Sequence, residues 1–376
     1  MIYFDNSSTT SVRTEVCRVY EQLLKSAFAN PDAMHRPGRD VHAKMETSRK
    51  KIAQMLNRIP DEILFTSSAS ESNSLAILGY CLAYRNRGNH ILTTNVEHAS
   101  VDHSFSWLES MGFEVQRMPV NEQGILTPDV LNKYIRKDTI LVSCMHVNNE
   151  MGAINPISQL AEIVHQNPTC VFHADCVQSF TKIDIPWNQL DLATVSMHKI
   201  HGLKGSALLI KNHDLKLTPL IQGGQQEQGL RGGTSNAPSN IVAAKTIRLA
   251  LEEKEESYDR VSKLNFFLRS ELMNIPGVHI NSPETAIPYI LNISFDQITS
   301  EVMLNALDQR DICVSAKSTC SSRSANESST LIHMGLSEKR ATHMIRLSFD
   351  GNNSLEEGKR FIKICKEILN TYGLSL

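Results

Sequence analysis

Between residues 62 and 210 the chain alternates short apolar runs with amphipathic ones, and nothing else in it constrains the fold as much. Glu62-Ile63-Leu64-Phe65-Thr66 reads as a strand, and Ser70 to Tyr84, with Leu75, Leu78 and Leu82 on one face, reads as a helix. Strands follow at 90–94, 113–118, 139–145 and 170–174, separated by helices at 99–111, 128–136 and 157–165. Two more strands fit 191–195 and 206–210, and a helix precedes the series at 47–57. Strands that alternate with helices build a largely parallel, doubly wound sheet covered on both faces. The expected fold class is α/β, a large domain with a mainly parallel sheet sandwiched by helices.

The texture changes after residue 220. Residues 221–235 are rich in Gly and Gln with little apolar pattern, and read as a long functional loop. A helix over 238–260 follows, with the acidic run Glu252-Glu253-Lys254-Glu255-Glu256 on its solvated side. Helices at 262–273, 299–309 and 354–371 and strands at 288–295, 312–315 and 344–348 then indicate a smaller α+β C-terminal domain. The expected division is a large domain over 12–255, with 1–11 and 256–376 forming the small one. A chain of 376 residues has room for two cores.

A formal net charge of -2 argues against direct nucleic-acid binding or an anionic membrane surface. No apolar run approaches the roughly 18 residues of a membrane span, and the N-terminus does not read as a signal peptide. The eight cysteines form no Cys-x-x-Cys pair, so a zinc ribbon is not supported, and free thiols in a reducing cytoplasm are expected.

In open parallel sheets, ligands sit outside the carboxyl ends of the strands. Several polar clusters fall at such ends: Ser67-Ser68-Ala69-Ser70, Glu97-His98, Asn148-Asn149, Asp175 with Gln178, and Ser196-Met197-His198-Lys199. Small hydroxyl residues opening a helix suit a phosphate, although a plain N-cap has the same look. A lysine and an aspartate ending neighbouring strands are what pyridoxal phosphate chemistry needs. The amine forms a Schiff base, and the carboxylate keeps the ring nitrogen protonated. His98 beside a pyridine ring could stack on it and shuttle protons, whereas a lone histidine is usually structural. A metal site at His98, His198 and His201 lacks carboxylate or thiolate ligands at familiar spacing, so none is expected.

Taken in order, the blocks resemble the cysteine desulfurases of the class V aminotransferase group, pyridoxal-phosphate enzymes of fold type I, over nearly the whole chain. They begin with Tyr3-Phe4-Asp5-Asn6-Ser7-Ser8-Thr9-Thr10 and Phe65-Thr66-Ser67-Ser68-Ala69-Ser70-Glu71-Ser72-Asn73. Glu97-His98, His146-Val147-Asn148-Asn149-Glu150-Met151-Gly152 and His173-Ala174-Asp175-Cys176-Val177-Gln178 follow. The last are Ser196-Met197-His198-Lys199, Gly223-Gly224-Gln225-Gln226-Glu227 running to Arg231-Gly232-Gly233-Thr234, and Ile345-Arg346-Leu347-Ser348.

The resemblance implies pyridoxal 5'-phosphate held by Lys199, which also moves the substrate Cα proton. Asp175 would meet the ring nitrogen, Gln178 the ring hydroxyl oxygen, and His98 the ring face as an acid/base group. Ala69, Ser70, Ser196 and His198 would hold the phosphate. Thr234 would reach the phosphate of a neighbouring subunit, which implies a homodimer. Arg346 and Asn149 would bind the carboxylate of L-cysteine.

Cys320 lies in the polar stretch Ser318-Thr319-Cys320-Ser321-Ser322, a setting expected of a reactive thiol. It matches the family's catalytic cysteine, which would carry sulfur as a persulfide for transfer to an acceptor protein. The surrounding segment, about 316–331, resembles the longer catalytic loop of the group that donates sulfur directly. Cys176 is the next candidate by proximity to Asp175. Iron–sulfur assembly, tRNA thiolation and DNA phosphorothioation all use such donors. Selenocysteine lyase, another class V enzyme and a silent scaffold remain as alternatives. Ser68, Ser70, Gln228, Lys317 and Asp350 depart from the family's usual residues.

Overall fold

The computed structural model describes residues 1–316 and 329–371. Its elements run β1 (Ile2–Tyr3), α1 (Thr14–Ser26), α2 (Arg36–Met55), β2 (Ile63–Thr66), α3 (Ala69–Ser74) and α4 (Tyr80–Ala83). There follow β3 (His90–Thr94), α5 (Ala99–Ser110), β4 (Glu114–Met118), α6 (Pro128–Tyr134), β5 (Thr139–Ser143), α7 (Ile157–Val164), β6 (Val171–Asp175), β7 (Leu192–Ser196) and β8 (Ala207–Lys211). The remainder comprises α8 (Ala237–Glu252), α9 (Lys254–Met273), β9 (Val278–Ile280), β10 (Ile290–Phe295), α10 (Ser300–Asp308), β11 (Ile312–Cys313), α11 (Ser329–His333), α12 (Glu338–Thr342), β12 (Met344–Ser348) and α13 (Leu355–Thr371).

The main sheet has seven strands in the order β2-β8-β7-β6-β5-β3-β4. Only β8 runs against its neighbours, pairing antiparallel with both β2 and β7. The expected mainly parallel sheet is therefore present. Its strands are buried on both faces, which is why they read as continuous apolar runs. Phe65, Leu92, Val142, Phe172, Ala193 and Leu208 pack on one face, with α2 and α8. Leu64, Ile91, Leu141, Val171, Leu192 and Leu209 pack on the other. At the centre, His173 bridges three strands: Nδ1 lies 2.8 Å from Ser143 Oγ, and Nε2 lies 3.3 Å from Thr194 Oγ1.

A second hydrophobic cluster surrounds the antiparallel sheet β12-β10-β9 and takes in α9 and α13. The N-terminus belongs to it. β1 pairs with β11, and the Phe4 ring meets Phe349 edge-on at 5.0 Å between centroids. Residues 5–10 then cross to the end of β7, where Thr10 N–H donates to the His198 carbonyl at 2.9 Å.

Element boundaries differ from the sequence reading where packing decides them. The helix expected over 238–260 is two helices that break at Glu253. α8 turns Ala243, Ala244 and Ile247 to the first core, and α9 turns Val261, Leu264 and Leu268 to the second. No single stripe serves both. The acidic run is the corner, where Glu253 pairs with Arg13 at 2.5 Å. Between α3 and α4, Leu75–Gly79 winds as a π-helix, and Gly79 at its end lies tight against the Thr218 carbonyl. α2 begins at Arg36, well before residue 47. Helix α1 and strand β9 lie outside the expected elements, although Val16, Val19, Tyr20 and Leu23 of α1 recur at helical spacing and face the first core. Among the described residues no helix is long and apolar enough to cross a membrane.

Burial lowers the pKa of His173 to about 4, so the native ring is neutral while an unfolded one titrates at its ordinary value. The unfolded state then binds more protons, and stability falls as pH drops through that window. Between about pH 7 and pH 5 the His173 contribution is about 2 kcal/mol. Urea unfolding of His173→Gln should lose that share of the acid destabilisation shown by the parent.

Candidate active site

Five strand ends converge on one cavity. It has a volume of about 180 Å³ and is lined by Ser68, Ala69 and Ser70 beyond β2, and by His98 beyond β3. Asn149 beyond β5, Asp175 and Gln178 beyond β6, and His198 and Lys199 beyond β7 complete that edge. Ser7, Ser8 and Arg346 close it from the N-terminal strap and β12.

Lys199 sits in a single 3-10 turn after β7, and its Nζ donates to the carbonyls of Ser7 at 2.5 Å and Ser8 at 2.7 Å. Asp175 is buried at the end of β6. Its Oδ1 accepts from Val177 N–H at 3.0 Å, and its Oδ2 accepts from Asn73 Nδ2 at 2.9 Å. Gln178 Nε2 donates to the Ser7 carbonyl at 3.1 Å. Arg346 is only 1% exposed; Nη2 donates to Asp5 and Ser8 at 3.0 and 2.8 Å, and Nη1 donates to the Asn149 carbonyl at 2.9 Å. Its Nε is buried without a hydrogen-bond partner among the described residues.

At the opposite end, Ser68 caps α3 by accepting from Glu71 N–H at 3.1 Å. Its φ of -162° is ordinary extended backbone, so the serine at this position costs no strain. Ser196 is buried, and its Oγ has no partner among the described residues. His198 Nδ1 lies 3.1 Å from Thr9 Oγ1. Burial, with Lys199 and Lys204 nearby, lowers His198 to about 4 and leaves it neutral.

The Gly- and Gln-rich loop is fixed by one carboxylate. Glu227 is buried, accepts from Arg49 Nη1 and Nη2 at 2.8 and 2.9 Å, and accepts from Phe65 N–H at 2.9 Å. Beyond it, Arg231 Nε donates to Glu71 at 3.0 Å. Gly223 and Gly232 touch so closely that a Cβ on Gly232 would lie 2.6 Å from the Gly223 Cα. Thr234 is exposed and lies outside the cavity lining. Gln228 Nε2 reaches the Asp61 carbonyl at 2.9 Å, and Asp350 lies 3.3 Å from His201 Nε2.

Cys320 and Lys317 lie outside the described residues. Cys176, the second-ranked thiol, is fully buried, and burial pushes its pKa up. No cysteine is among the described residues that line the cavity.

A profile described as aminotransferase class-V matches residues 2–361. The chain belongs to that family. A NifS/IcsS protein homolog of Lactobacillus delbrueckii subsp. bulgaricus is 41% identical over 99% of this chain and 98% of its own length. The cysteine desulfurase IscS of Methanosarcina thermophila is 37% identical over 98% of this chain and 92% of its own. A solved NifS-like protein superposes with a TM-score of 0.92 at 34% identity, covering 98% of this chain and 99% of that one. Within the class-V family the chain is a pyridoxal 5'-phosphate-dependent enzyme of the cysteine desulfurase group.

The cavity fits that cofactor. Buried Asp175 offers a carboxylate, Lys199 an amine, and the small residues Ala69 and Ser70 leave room at the start of α3; Ser196, whose hydroxyl is buried and unpartnered among the described residues, ends β7 but is not itself in the lining. The sequence reading did not single out Asn73, Ser100, Asp5, Arg49 or Glu227 as supporting residues. Asn73 and Asp5 were inside recognised blocks, but their partners are distant in sequence. Glu227 was also inside a recognised block, and its being the lone acid of the Gly/Gln loop was the available signal.

Removing one member of a buried pair leaves the other charge uncompensated, at about 3–5 kcal/mol. In Glu227→Ala, Arg49 keeps one described ion-pair partner, Glu46, 3.0 Å from its Nε, so the unfolding free energy from urea titration should fall by up to that amount and the 221–235 loop should become protease-sensitive.

Proposed function

We propose that the cavity binds pyridoxal 5'-phosphate and L-cysteine, and that the protein transfers the substrate sulfur through Cys320 to an acceptor protein. The observation that carries this reading is the convergence of Lys199, Asp175, His98 and Arg346 on one cavity that has no described cysteine in its lining. A sulfur-accepting thiol must then come from elsewhere, and Cys320 has the polar setting that suits one.

Lys199 is the residue that holds the cofactor covalently, and Asp175 meets its ring nitrogen. Gln178 hydrogen-bonds the ring hydroxyl oxygen, and His98 covers a ring face. Ala69, Ser70, Ser196 and His198 hold the phosphate. Thr234, which is exposed, reaches the phosphate of a second subunit in a homodimer. The bound cofactor supplies an electron sink for charge developing at the substrate Cα. Arg346 has donor capacity left, including its buried Nε, for the substrate carboxylate beside Asn149. Lys199 takes the Cα proton, and two backbone carbonyls aimed at its Nζ orient the amine. The Cys320 thiolate bonds to the substrate sulfur as the C–S bond breaks, leaving a persulfide and, after proton return, L-alanine. The acceptor belongs to iron–sulfur assembly, tRNA thiolation or DNA phosphorothioation.

Cys320→Ser should lower alanine formation from cysteine by more than about 100-fold while the cofactor absorbance stays unchanged. Mass spectrometry should find the extra sulfur on Cys320 of the parent; full-rate desulfuration by the variant refutes the assignment. After borohydride reduction and denaturation, the parent should retain the cofactor and Lys199→Ala should not. Release of selenide with no turnover of cysteine would favour the selenocysteine lyase alternative.

A further inference from the structure

His98 is the N-cap of α5, and its Nδ1 accepts from the Ser100 backbone N–H at 3.2 Å. An amide N–H only donates, so Nδ1 presents a lone pair. Ser100 Oγ lies 2.8 Å from the same nitrogen, and Asn73 Nδ2 donates to that oxygen at 2.9 Å. The serine hydroxyl, having accepted from Asn73, directs its own hydrogen to Nδ1. The other hydrogen of Asn73 Nδ2 goes to Asp175 Oδ2 at 2.9 Å. The amide orientation is fixed chemically: an ionised carboxylate is acceptor-only, so the Asn73 nitrogen, and not its oxygen, faces Asp175.

Every bond in this network has one allowed direction, and two donors meet the same nitrogen of His98. We propose that Ser100 and Asn73 are positioning residues that hold His98 as a neutral ring protonated on Nε2. His98 then serves as a fixed N–H donor and an apolar face, and the proton transfers fall to Lys199. A ring nitrogen that already carries hydrogen cannot accept another, and the Nδ1 lone pair is committed to α5. The same Asn73 side chain fixes Asp175, so the two groups expected at the ring face and ring nitrogen are set by one amide. Among the described residues, titratable groups around His98 include Asp175, His198, Lys199 and Arg346 across the cavity, Glu97 and Asp102 close in sequence, and His103 on α5. The tautomer follows from this network alone; its consequence for the reaction rests on the function proposed above.

Histidine-15N-labelled holoenzyme reads the tautomer directly, with the His98 resonances assigned by their loss in His98→Gln. At neutral pH Nε2 should carry the proton and Nδ1 should not. Ser100→Ala should move the Nδ1 resonance downfield, toward that of an unbonded nitrogen, and Ser100→Thr should restore the parent position. His98→Gln keeps an N–H donor and should lose no more than about tenfold in kcat, the scale of one hydrogen bond. A proton on Nδ1 or on both nitrogens in the parent overturns the proposal, as does an unmoved resonance in Ser100→Ala. So does a loss of about 100- to 10,000-fold in His98→Gln with cofactor absorbance retained, the range for a general acid/base. The expected tautomer in a holoenzyme that forms no alanine from cysteine would uphold the network and defeat the functional assignment.

Discussion

The Arg346 guanidinium is the contact on which the site's assembly depends. It is the bulkiest of the fully buried side chains described, and it lines the cavity. An ion there is tolerated only when its hydrogens find acceptors. Those acceptors come from two stretches distant from β12, which carries the arginine: Asp5 and Ser8 in the N-terminal strap, and Asn149 after β5. Satisfying one buried cation therefore fixes the strap, and the strap carbonyls in turn fix Lys199. The strap belongs by packing to the second core, through Phe4, yet it forms one wall of a cavity built mostly from the first.

The same principle explains how the cavity's polar groups stay in place. At the ends of β6 and β3 a group that could touch a ligand is oriented by a second group with an unambiguous hydrogen-bond direction. Asn73 orients Asp175, and the Ser100 backbone orients His98. His198 is the contrasting case. Its neutral state comes from burial beside two lysines, and a bound phosphate would add the opposite charge that this corner lacks.

The main sheet and the catalytic edge were legible in the sequence for one reason. A parallel strand buried on both faces is a continuous apolar run, and the residue that ends the run must lie at the sheet's carboxyl edge. Lys199, Asp175, His98 and Asn149 could be placed together from that rule before any coordinates. Long-range polar partners were not legible. Glu227 and Arg49 are separated by most of the first core's sequence, and neither position has a periodic signature. The break at Glu253 was hidden because helical propensity continues through it, and the change of core on which α8 and α9 pack is tertiary information. Asp350 read as an oddity until its neighbour His201 was in view.

The distribution of thiols completes the picture. Cys81, Cys144, Cys170, Cys176 and Cys365 are buried, and desolvation raises every one of them, so none offers a thiolate at neutral pH. Cys176 shows why proximity is a poor guide. It follows Asp175 directly, yet alternation along the chain turns it into the core while the carboxylate faces the cavity. The chemistry at the cavity needs an amine, a carboxylate and a guanidinium that stay fixed. The sulfur transfer proposed for it needs a thiol that can also meet a second protein. Those requirements conflict if one rigid sheet edge must meet both, and a lining that holds no cysteine among its described residues fits their separation.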